Sequence, residues 1–272
     1  MSVLQATYPP LRDLRLAEPS DIIRMGTLMY AAFAPEPMFN YLHPKHASVV
    51  QYALQFHRGY SRAMIENPNA KIVMVIEDKY NPNEENYLET DISTKDTWSS
   101  TQPTPNEADP VVVGLACWSF THGRGAPPIG QHQIRAKAFN DDTWPEFGSL
   151  QVPGDYDHEE HWKLYETCED SMRRARIDDC GMTLEMLAVH PAYQRTGHAT
   201  TLLNWGKYLA QKLNVNMVVW ATEAGKRVYE KVGCQLLDEF HLVGDEVSPR
   251  GASGYLLKYV SKKDQGSGSG GT

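Results

Sequence analysis

The apolar residues of this chain fall into short continuous runs and into longer stretches with helical spacing. Short runs rich in β-branched residues are typical of buried strands, and apolar residues three and four apart are typical of amphipathic helices. We predict strands over residues 11–16, 71–77, 111–118, 184–189, 217–222, 236–243 and 255–260. We predict helices over residues 22–33, 45–66, 158–177, 199–213 and 224–234. Helices and strands that alternate in this way indicate an α/β fold.

Two segments interrupt this pattern. Residues 78–109 are rich in Asn, Glu, Ser, Thr and Pro and contain few apolar residues, which is typical of a long mobile insertion. Because a predicted strand adjoins each of its ends, we expect those two strands to pair as a hairpin. Residues 121–157 are rich in Gly and Pro and are hard to assign to any regular element. We expect residues 1–261 to form a single domain, followed by a flexible tail, 262–272, with the composition of an added linker.

The strand at 184–189 leads into the most distinctive turn of the chain. His190-Pro191 ends the strand, because proline has no N–H to donate to a sheet. The residues from Gln194 to Ala199, QRTGHA, then form a tight turn that opens the next helix. A helix N-terminus presents unpaired N–H groups and the positive end of the helix dipole, and Arg195 adds a positive charge. Together these features favour a ligand that carries phosphate.

This turn resembles motif A of the GNAT superfamily, the acetyl-CoA-dependent N-acetyltransferases. The family pattern is Gln or Arg, two residues, Gly, one residue, and Gly or Ala, and Gln194, Gly197 and Ala199 meet it. The preceding LAV-x-P-x-Y-Q stretch is also similar. Farther along, the sequence YEKVGC, which begins at Tyr229, resembles the end of motif B, with Cys234 in place of the usual aromatic residue.

The close resemblance covers residues 180–240, the expected cofactor-binding core, and a looser one covers 11–78 and 111–120. It implies a mixed, strongly twisted sheet flanked by helices, with long loop insertions and with splayed strands that form a cofactor cleft. It also implies that acetyl-CoA is the co-substrate, with its pantetheine arm beside the 184–189 strand and its pyrophosphate on the N–H groups of the turn. The implied cofactor-binding residues are Leu187, Ala188, Val189, Gln194, Arg195, Thr196, Gly197, His198, Ala199 and Thr200.

Tyr229 is the residue that the resemblance implies as general acid. Its hydroxyl would protonate the departing CoA thiolate, which a phenol can do because its pKa lies above that of a thiol. The alternative is that Tyr229 is a core aromatic residue, because it shares a helix face with Val232.

Glu185 is the candidate general base. An amine nucleophile is protonated at neutral pH, and a carboxylate on the strand beside the acetyl group could take its proton directly or through water. Strand alternation predicts that Glu185 and Leu187 share one face and that Leu184 and Met186 share the other. The alternatives are that Glu185 orients the substrate or faces away, or that His190 is the base, although a His-Pro strand end is commonly structural.

Composition narrows the classes of partner. The formal net charge of −8 disfavours general affinity for nucleic acid or for anionic membranes, because both need basic surfaces. It suits an amine substrate, although acidic proteins are also simply soluble. No two of the four cysteines have C-x-x-C spacing, and the two histidines of His158-Glu-Glu-His161 are three residues apart rather than four. We therefore predict no metal site, and we expect Cys117 and Cys234 to be buried thiols.

The N-terminus has no basic segment followed by an apolar core, and no apolar run is long enough to span a bilayer. We expect a cytoplasmic protein, intracellular in any case, with the nucleus as the other compartment left open.

These observations predict an enzyme that moves an acetyl group from acetyl-CoA to a primary amine of a small molecule or protein. We expect direct attack by the amine, because no cysteine sits in a recognisable activated setting. Two alternatives remain open: an acyl-CoA-binding sensor or scaffold, and a transferase that uses a hydroxyl acceptor or a longer acyl chain. The sequence leaves the acceptor and the oligomeric state undetermined.

Overall fold

The computed structural model describes residues 14–48, 50–66, 71–85, 105–120, 158–175, 177, 180–244, 246 and 249–261. Its strands are β1 (Leu14–Leu16), β2 (Lys71–Lys79), β3 (Pro110–Phe120), β4 (Cys180–Val189), β5 (Asn216–Ala221), β6 (Gln235–Leu242) and β7 (Ala252–Tyr259). Its α-helices are α1 (Ile22–Phe33), α2 (Pro37–Leu42), α3 (Val50–Ile65), α4 (Pro82–Glu85), α5 (His158–Arg174), α6 (His198–Leu213) and α7 (Glu223–Lys231). The predicted α/β fold is confirmed.

The seven strands form one mixed sheet in the order β1-β2-β3-β4-β5-β7-β6. All neighbouring pairs are antiparallel except β4 and β5, which are parallel and are connected through α6. The predicted hairpin of β2 and β3 is confirmed. The β4–β5 pairing begins at Cys180 and Asn216 and ends at Leu184 and Val219. Beyond that point the two strands are not paired with each other, which is compatible with the predicted splayed strands.

Helices cover both faces of the sheet. The front face carries α6 and α7, and a core of apolar side chains between them and the sheet includes Trp118, Leu203 and Leu257. The back face carries α1, α2, α3 and α5, with separate apolar clusters beneath α1 and α3 and beneath α2. The gap between β4 and β5 is therefore bordered by different helices on its two faces.

The structure differs from the predicted elements mainly at their ends. The second predicted helix begins at Val50 rather than at residue 45, and a short helix, α2, begins at Pro37, where only a stop was expected. Proline at the first turn of a helix loses no hydrogen bond, so Pro37 can start α2. The described residues do not include 1–13, 86–104, 121–157 or 262–272. Because the expected insertion is 78–109, most of it lies outside the described residues.

The described parts of the expected insertion, residues 78–85 and 105–109, are built into the fold and are joined by backbone bonds between Tyr80 and residues Ala108 and Asp109. Asp78 and Lys79 extend β2, and Tyr80 is buried in the front core. Residues 82–85 form α4, and the carboxylate of Glu85 is 7% exposed. Pairing with the buried Arg24 makes this possible, because a buried carboxylate needs a partner. Composition alone did not predict that Glu85 is buried, because its burial depends on pairing with one charged residue, Arg24, rather than on apolar residues.

In the described part of the chain, no helix is both long and apolar enough to cross a membrane.

Candidate active site

The turn from Gln194 to Ala199 has the geometry of an open anion site. Arg195 and Gly197 have positive φ angles of 66° and 101°, and α6 begins at the next residue, His198. Gly197 is the N-cap residue of α6 and supplies no side-chain cap to the first N–H groups of the helix. A Cβ atom placed on Gly197 would meet no protein atom within 4 Å, so the glycine leaves space above the helix N-terminus. These N–H groups are free to bind an anionic ligand.

Side chains of the turn hold it in place from below. The amide of Gln194 donates to the carbonyl oxygen of Val189 at 3.1 Å, and the hydroxyl of Thr196 donates to the carbonyl oxygen of Tyr193 at 2.6 Å. His198 Nε2 lies 2.9 Å from a carboxylate oxygen of Asp78 at the end of β2. The motif glutamine therefore shapes the turn rather than projecting from it. Arg195 and Thr200 are exposed, and Ala199 is half-buried.

The diverging part of β4 offers a free backbone edge. Residues 186–189 pair with β3 on one side, but no described strand pairs with them on the other. Ala188 and Val189 are buried, and Leu187 packs against the front core. The three predicted pantetheine-binding residues thus lie where an extended ligand could add to the sheet edge.

Glu185 sits in a β-bulge at the start of this edge, which corrects the predicted alternation. Cys117 pairs with Met186 and Trp118 pairs with Leu184, so Glu185 is an extra residue in the ladder. As a result Leu184 and Leu187 both face the front core, whereas strict alternation had put them on opposite faces. The Glu185 carboxylate meets Lys71 Nζ at 2.5 Å, and the Lys71 side chain is 3% exposed. The predicted base is therefore held by a buried cation.

Tyr229 lies on the front side of the gap. It belongs to α7, is 5% exposed, and its ring points back one turn towards Gly225, where a Cβ atom would lie 3.1 Å from Tyr229 Cε2. Its hydroxyl end therefore lies towards the N-terminus of α7, which follows directly on β5. Burial raises the pKa of Tyr229, so the hydroxyl keeps its proton throughout the neutral range. No described residue forms a hydrogen bond with that hydroxyl.

The structure gives His190 a structural place. It is 3% exposed, its Nδ1 accepts a bond from the Ala192 N–H, and its ring lies edge-on to Tyr193. Burial and then the nearby Arg24 guanidinium lower the pKa of His190 to about 4. A histidine this deeply buried cannot reach an acceptor amine without rearrangement.

Arg24, Glu85 and Tyr193 form a buried network behind the turn. Arg24 donates two bonds to the Glu85 carboxylate, at 2.8 and 2.5 Å, and a third to the carbonyl oxygen of Val112. The Tyr193 hydroxyl donates to the same carboxylate at 2.8 Å. Burial alone would raise the pKa of Glu85, but the bonds from Arg24 lower it overall. The network links α1 on the back face to the segment that carries the turn.

Sequence reasoning missed Glu36, which lies on the back side of the gap. Glu36 is the N-cap residue of α2, and its half-buried carboxylate shares a hydrogen bond with the hydroxyl of Thr222, the residue that follows β5. Burial raises the pKa of Glu36, and the Thr222 bond opposes this only in part. No described cation pairs with it. The available signal was a carboxylate between two prolines, Pro35 and Pro37, at the point where α1 ends.

Two aromatic rings share this back side. Trp220 of β5 and Phe240 of β6 have their ring centroids 5.9 Å apart in an edge-to-face arrangement, and both are half-buried. Phe240 packs over Gly254, where a Cβ atom would lie 2.2 Å from the ring. Because Trp220 and Thr222 are two residues apart in extended chain, their side chains share a face.

Among the described residues, no group of three or more His, Cys, Asp and Glu could hold a metal ion. The backbone of residues 158–161 belongs to α5, but their side chains lie outside the described part of the chain.

The chain resembles known acetyltransferases in sequence and in fold. Residues 138–234 match the acetyltransferase (GNAT) family. A curated relative from Stachybotrys chartarum, named acetyltransferase, is 26% identical over 257 residues, which are 94% of each chain. The structure of arylalkylamine N-acetyltransferase 2 from Aedes aegypti is similar with a TM-score of 0.52 and 12% identity, over 91% of this chain and 97% of that one. The structure of a Drosophila melanogaster polyamine N-acetyltransferase has the same TM-score and identity, over 91% and 98%.

The two structural likenesses establish the shared fold, and the sequence matches show a resemblance to acetyltransferases. The observed sheet, with its parallel β4–β5 pair and its open turn, is the fold that the sequence resemblance implied. The chain therefore has the fold of solved N-acetyltransferases and resembles the GNAT family over residues 138–234.

Proposed function

We propose that this protein transfers the acetyl group of acetyl-CoA to the nitrogen of a primary amine, by direct attack of the amine. The carrying observation is the arrangement around the β4–β5 gap. An open helix N-terminus and a free strand edge lie beside the gap, a protonated phenol lies on its front side, and a half-buried carboxylate lies on its back side.

The chain supplies a fitting cradle for acetyl-CoA. The uncapped N–H groups that follow Gly197 would hold the pyrophosphate, with Arg195 adding charge, and the free edge of Leu187 to Val189 would hold the pantetheine arm. The space above Gly197, which a Cβ atom would fill, supports this assignment. Acetyl-CoA supplies the reactive thioester when bound.

Glu36 would take the proton from the acceptor ammonium. An amine must lose a proton before its lone pair can form the new C–N bond, and a carboxylate with a raised pKa is a better base than an ordinary one. Glu185, the base predicted from the sequence, stays a second candidate. Its ion pair with Lys71 favours Glu36, because Lys71 would compete with the acceptor for the Glu185 carboxylate.

Tyr229 would give its proton to the sulfur as the C–S bond breaks. Its raised pKa keeps the proton available at every physiological pH, and the thiolate that leaves is then released as a thiol. The core-aromatic alternative predicts instead that only packing changes when the hydroxyl is removed.

The test is the release of free thiol from acetyl-CoA with a panel of primary amines, using wild type, Glu36→Gln and Glu185→Gln. We expect turnover with at least one amine, and a larger fall in kcat for Glu36→Gln, about 10²-fold, than for Glu185→Gln. The Glu36→Gln defect should shrink as the pH approaches the pKa of the amine, near 10, because the free amine needs no base.

Two outcomes would count against the proposal. If acetyl-CoA binds but no amine releases thiol, the protein is a sensor or scaffold. If a hydroxyl acceptor or a longer acyl-CoA is turned over faster than amines with acetyl-CoA, the reaction class is a different one. A larger defect for Glu185→Gln would return the base role to Glu185.

We also propose that the protein works in a reducing intracellular compartment. All four cysteines are free thiols, and Cys117 and Cys234 are buried as expected. The cytoplasm and the nucleus are both compatible with this.

A further inference from the structure

A buried ion pair on the back face ties β2 to β4 across the strand between them. Lys71 Nζ donates to the Glu185 carboxylate at 2.5 Å, and the Lys71 side chain is 3% exposed. Val73, two residues along β2, belongs to the back core, so Lys71 lies on the back face as well. Because β3 lies between β2 and β4, the lysine side chain passes over β3 near Cys117, whose thiol is within electrostatic range of both charges.

Groups that stay neutral enclose this ion pair. Tyr60 of α3 packs against the back core, and burial and then Glu185 raise the pKa of Tyr60 well above its ordinary value. Burial and then Glu185 raise the pKa of Cys117 in the same way. Neither group can therefore replace Lys71 as the counter-charge of Glu185. Because loss of one partner would leave the other charge in a poorly solvated place, the pair holds Glu185 on the back face.

The ion pair and the back core together specify the β-bulge. Glu185 is held on the back face by Lys71, and the next residue, Met186, packs into the back core. Consecutive residues of a regular strand point to opposite faces, so two can share a face only where an extra residue interrupts the ladder. The bulge between Leu184 and Met186 therefore stays in place because both residues that follow Leu184 are held on one face.

The position of the bulge decides which backbone groups of β4 face the gap. The N–H of His190 donates to the carbonyl oxygen of Val113 on β3 at 2.8 Å, and N–H groups alternate between the two edges of a strand. The N–H groups of Leu187 and Val189 therefore point away from β3, towards the gap. A bulge farther along β4 would turn the N–H of Leu187 towards β3 instead, because the bonding groups of β3 stay where they are.

We infer that Lys71 is a positioning residue for the cofactor, because through Glu185 it fixes the bulge that turns the N–H groups of Leu187 and Val189 towards the pantetheine arm. This inference rests on the proposed function and adds to its cofactor site a side chain that lies two strands away. Lys71 acts through the sheet and not by contact with the ligand.

Lys71→Met tests the inference because it removes the charge and keeps an unbranched side chain of similar length. We expect the Kd for acetyl-CoA, measured by calorimetric titration, to rise by about 10-fold, the net effect of one or two ordinary hydrogen bonds lost from the edge. Lys71→Arg keeps a cation opposite Glu185 and should keep the Kd near that of wild type. Val73→Ala, the matched control, removes packing from the same face of β2 and should lower stability without raising the Kd.

Amide hydrogen exchange, followed by NMR in the free protein, reports the position of the bulge directly. In wild type we expect the N–H of Leu187 to exchange faster than those of Met186 and Ala188, which bond to β3. Lys71→Met should bring the rates of Leu187 and Met186 together, because the bulge then has no single place. Val73→Ala should speed the exchange of all three and preserve their alternation.

Glu185→Gln breaks the same ion pair from its other end and should change the exchange pattern in the same way, so the test holds if Lys71→Met does not fold. An alternation that both variants keep, or an unchanged Kd for acetyl-CoA in Lys71→Met, would overturn the inference and leave the proposed function standing. A wild type that does not bind acetyl-CoA would overturn the proposed function and, with it, the cofactor role of this strand edge.

Discussion

The two sides of the β4–β5 gap are built in different ways. The proposed cofactor side is one continuous stretch of chain, in which strand, turn and helix follow each other within residues 180–213 and the backbone N–H groups at the start of α6 would supply the binding chemistry. The back side, where we place the acceptor, contains Glu36 bonded to Thr222 and the Trp220–Phe240 ring pair, which are side chains from segments far apart in sequence. A site made of contiguous backbone depends on local conformation, whereas a site made of distant side chains depends on tertiary packing.

The first prediction breaks the cofactor side alone. Gly197→Asp places a negative charge and a side chain in the space above the helix N-terminus, and we expect the Kd for acetyl-CoA to rise at least about 10³-fold, because like charges in contact cost several kcal/mol. Calorimetric titration measures it. Gly233→Asp is the control, because Gly233 also has a positive φ and open space but lies at the end of α7. Equal losses in both variants would mean that backbone strain, not the ligand site, is the cause.

The second prediction concerns the hydroxyl on the front side. Tyr229→Phe should lower kcat by about 10²-fold if protonation of the thiolate is rate-limiting, and should leave the Kd for acetyl-CoA unchanged. Because burial holds the pKa of Tyr229 above its ordinary value of 10, the wild type should show no loss of rate from Tyr229 ionisation up to that pH. Steady-state kinetics at saturating substrates measure both. An unchanged kcat would assign Tyr229 to the core and not to the chemistry.

The third prediction tests how firmly the two sides are joined. Glu85→Gln removes the carboxylate that pairs with the buried Arg24, so we expect the free energy of unfolding to fall by about 3–5 kcal/mol. The cofactor affinity should weaken as well, because the Tyr193 hydroxyl then meets a neutral amide in place of the carboxylate. Urea unfolding and calorimetric titration measure these effects. Arg24→Met in the Glu85→Gln background should recover part of the stability, and no recovery would show that the charge pair is not the cause.

The smallest expected effect is a pH dependence of stability that arises beside α2, the helix that begins after Glu36. His57 of α3 is buried among the rings of Phe33, Phe39 and Phe56, neither ring nitrogen has a described partner, and burial lowers its pKa to about 3. In the unfolded chain His57 has its ordinary pKa of 6.5, so below that pH the unfolded chain binds a proton that the folded chain does not bind. Stability is complete above pH 6.5 and falls by up to about 1.4 kcal/mol per pH unit below it.

His57→Leu should remove that part of the acid sensitivity, with a change of less than about 1.5 kcal/mol at pH 7.5. Urea unfolding between pH 4.5 and 7.5 measures it, and His241→Leu, at an exposed position, serves as control. The buried His190 will keep a share of the pH dependence in every variant. Parallel pH curves for wild type and His57→Leu would contradict the prediction.

The cofactor side could be read from the sequence because its chemistry is local. A buried apolar run, a proline stop, a glycine with positive φ and a new helix each leave a mark within about twenty residues, and the structure places all of them as expected. The pairing of β2 with β3 followed from the same local patterns, and the mixed sheet followed from the family resemblance. What local pattern could not give was the β-bulge at Glu185, because an extra residue in a ladder depends on how β3 pairs with β4.

The acceptor side and the buried network were decided by the tertiary structure. The sequence near Glu36 does not indicate that this residue will lie against the segment that carries Trp220 and Thr222. The polar segment after residue 78 does not indicate that Glu85 will be buried against Arg24. A charged side chain becomes part of a core or a site only when folding brings a distant partner to it, since burial without a partner costs too much free energy. The sequence by itself therefore determined the α/β fold, the turn and the resemblance on which the proposed activity rests, and the packing of distant segments decided which carboxylates are buried beside the β4–β5 gap.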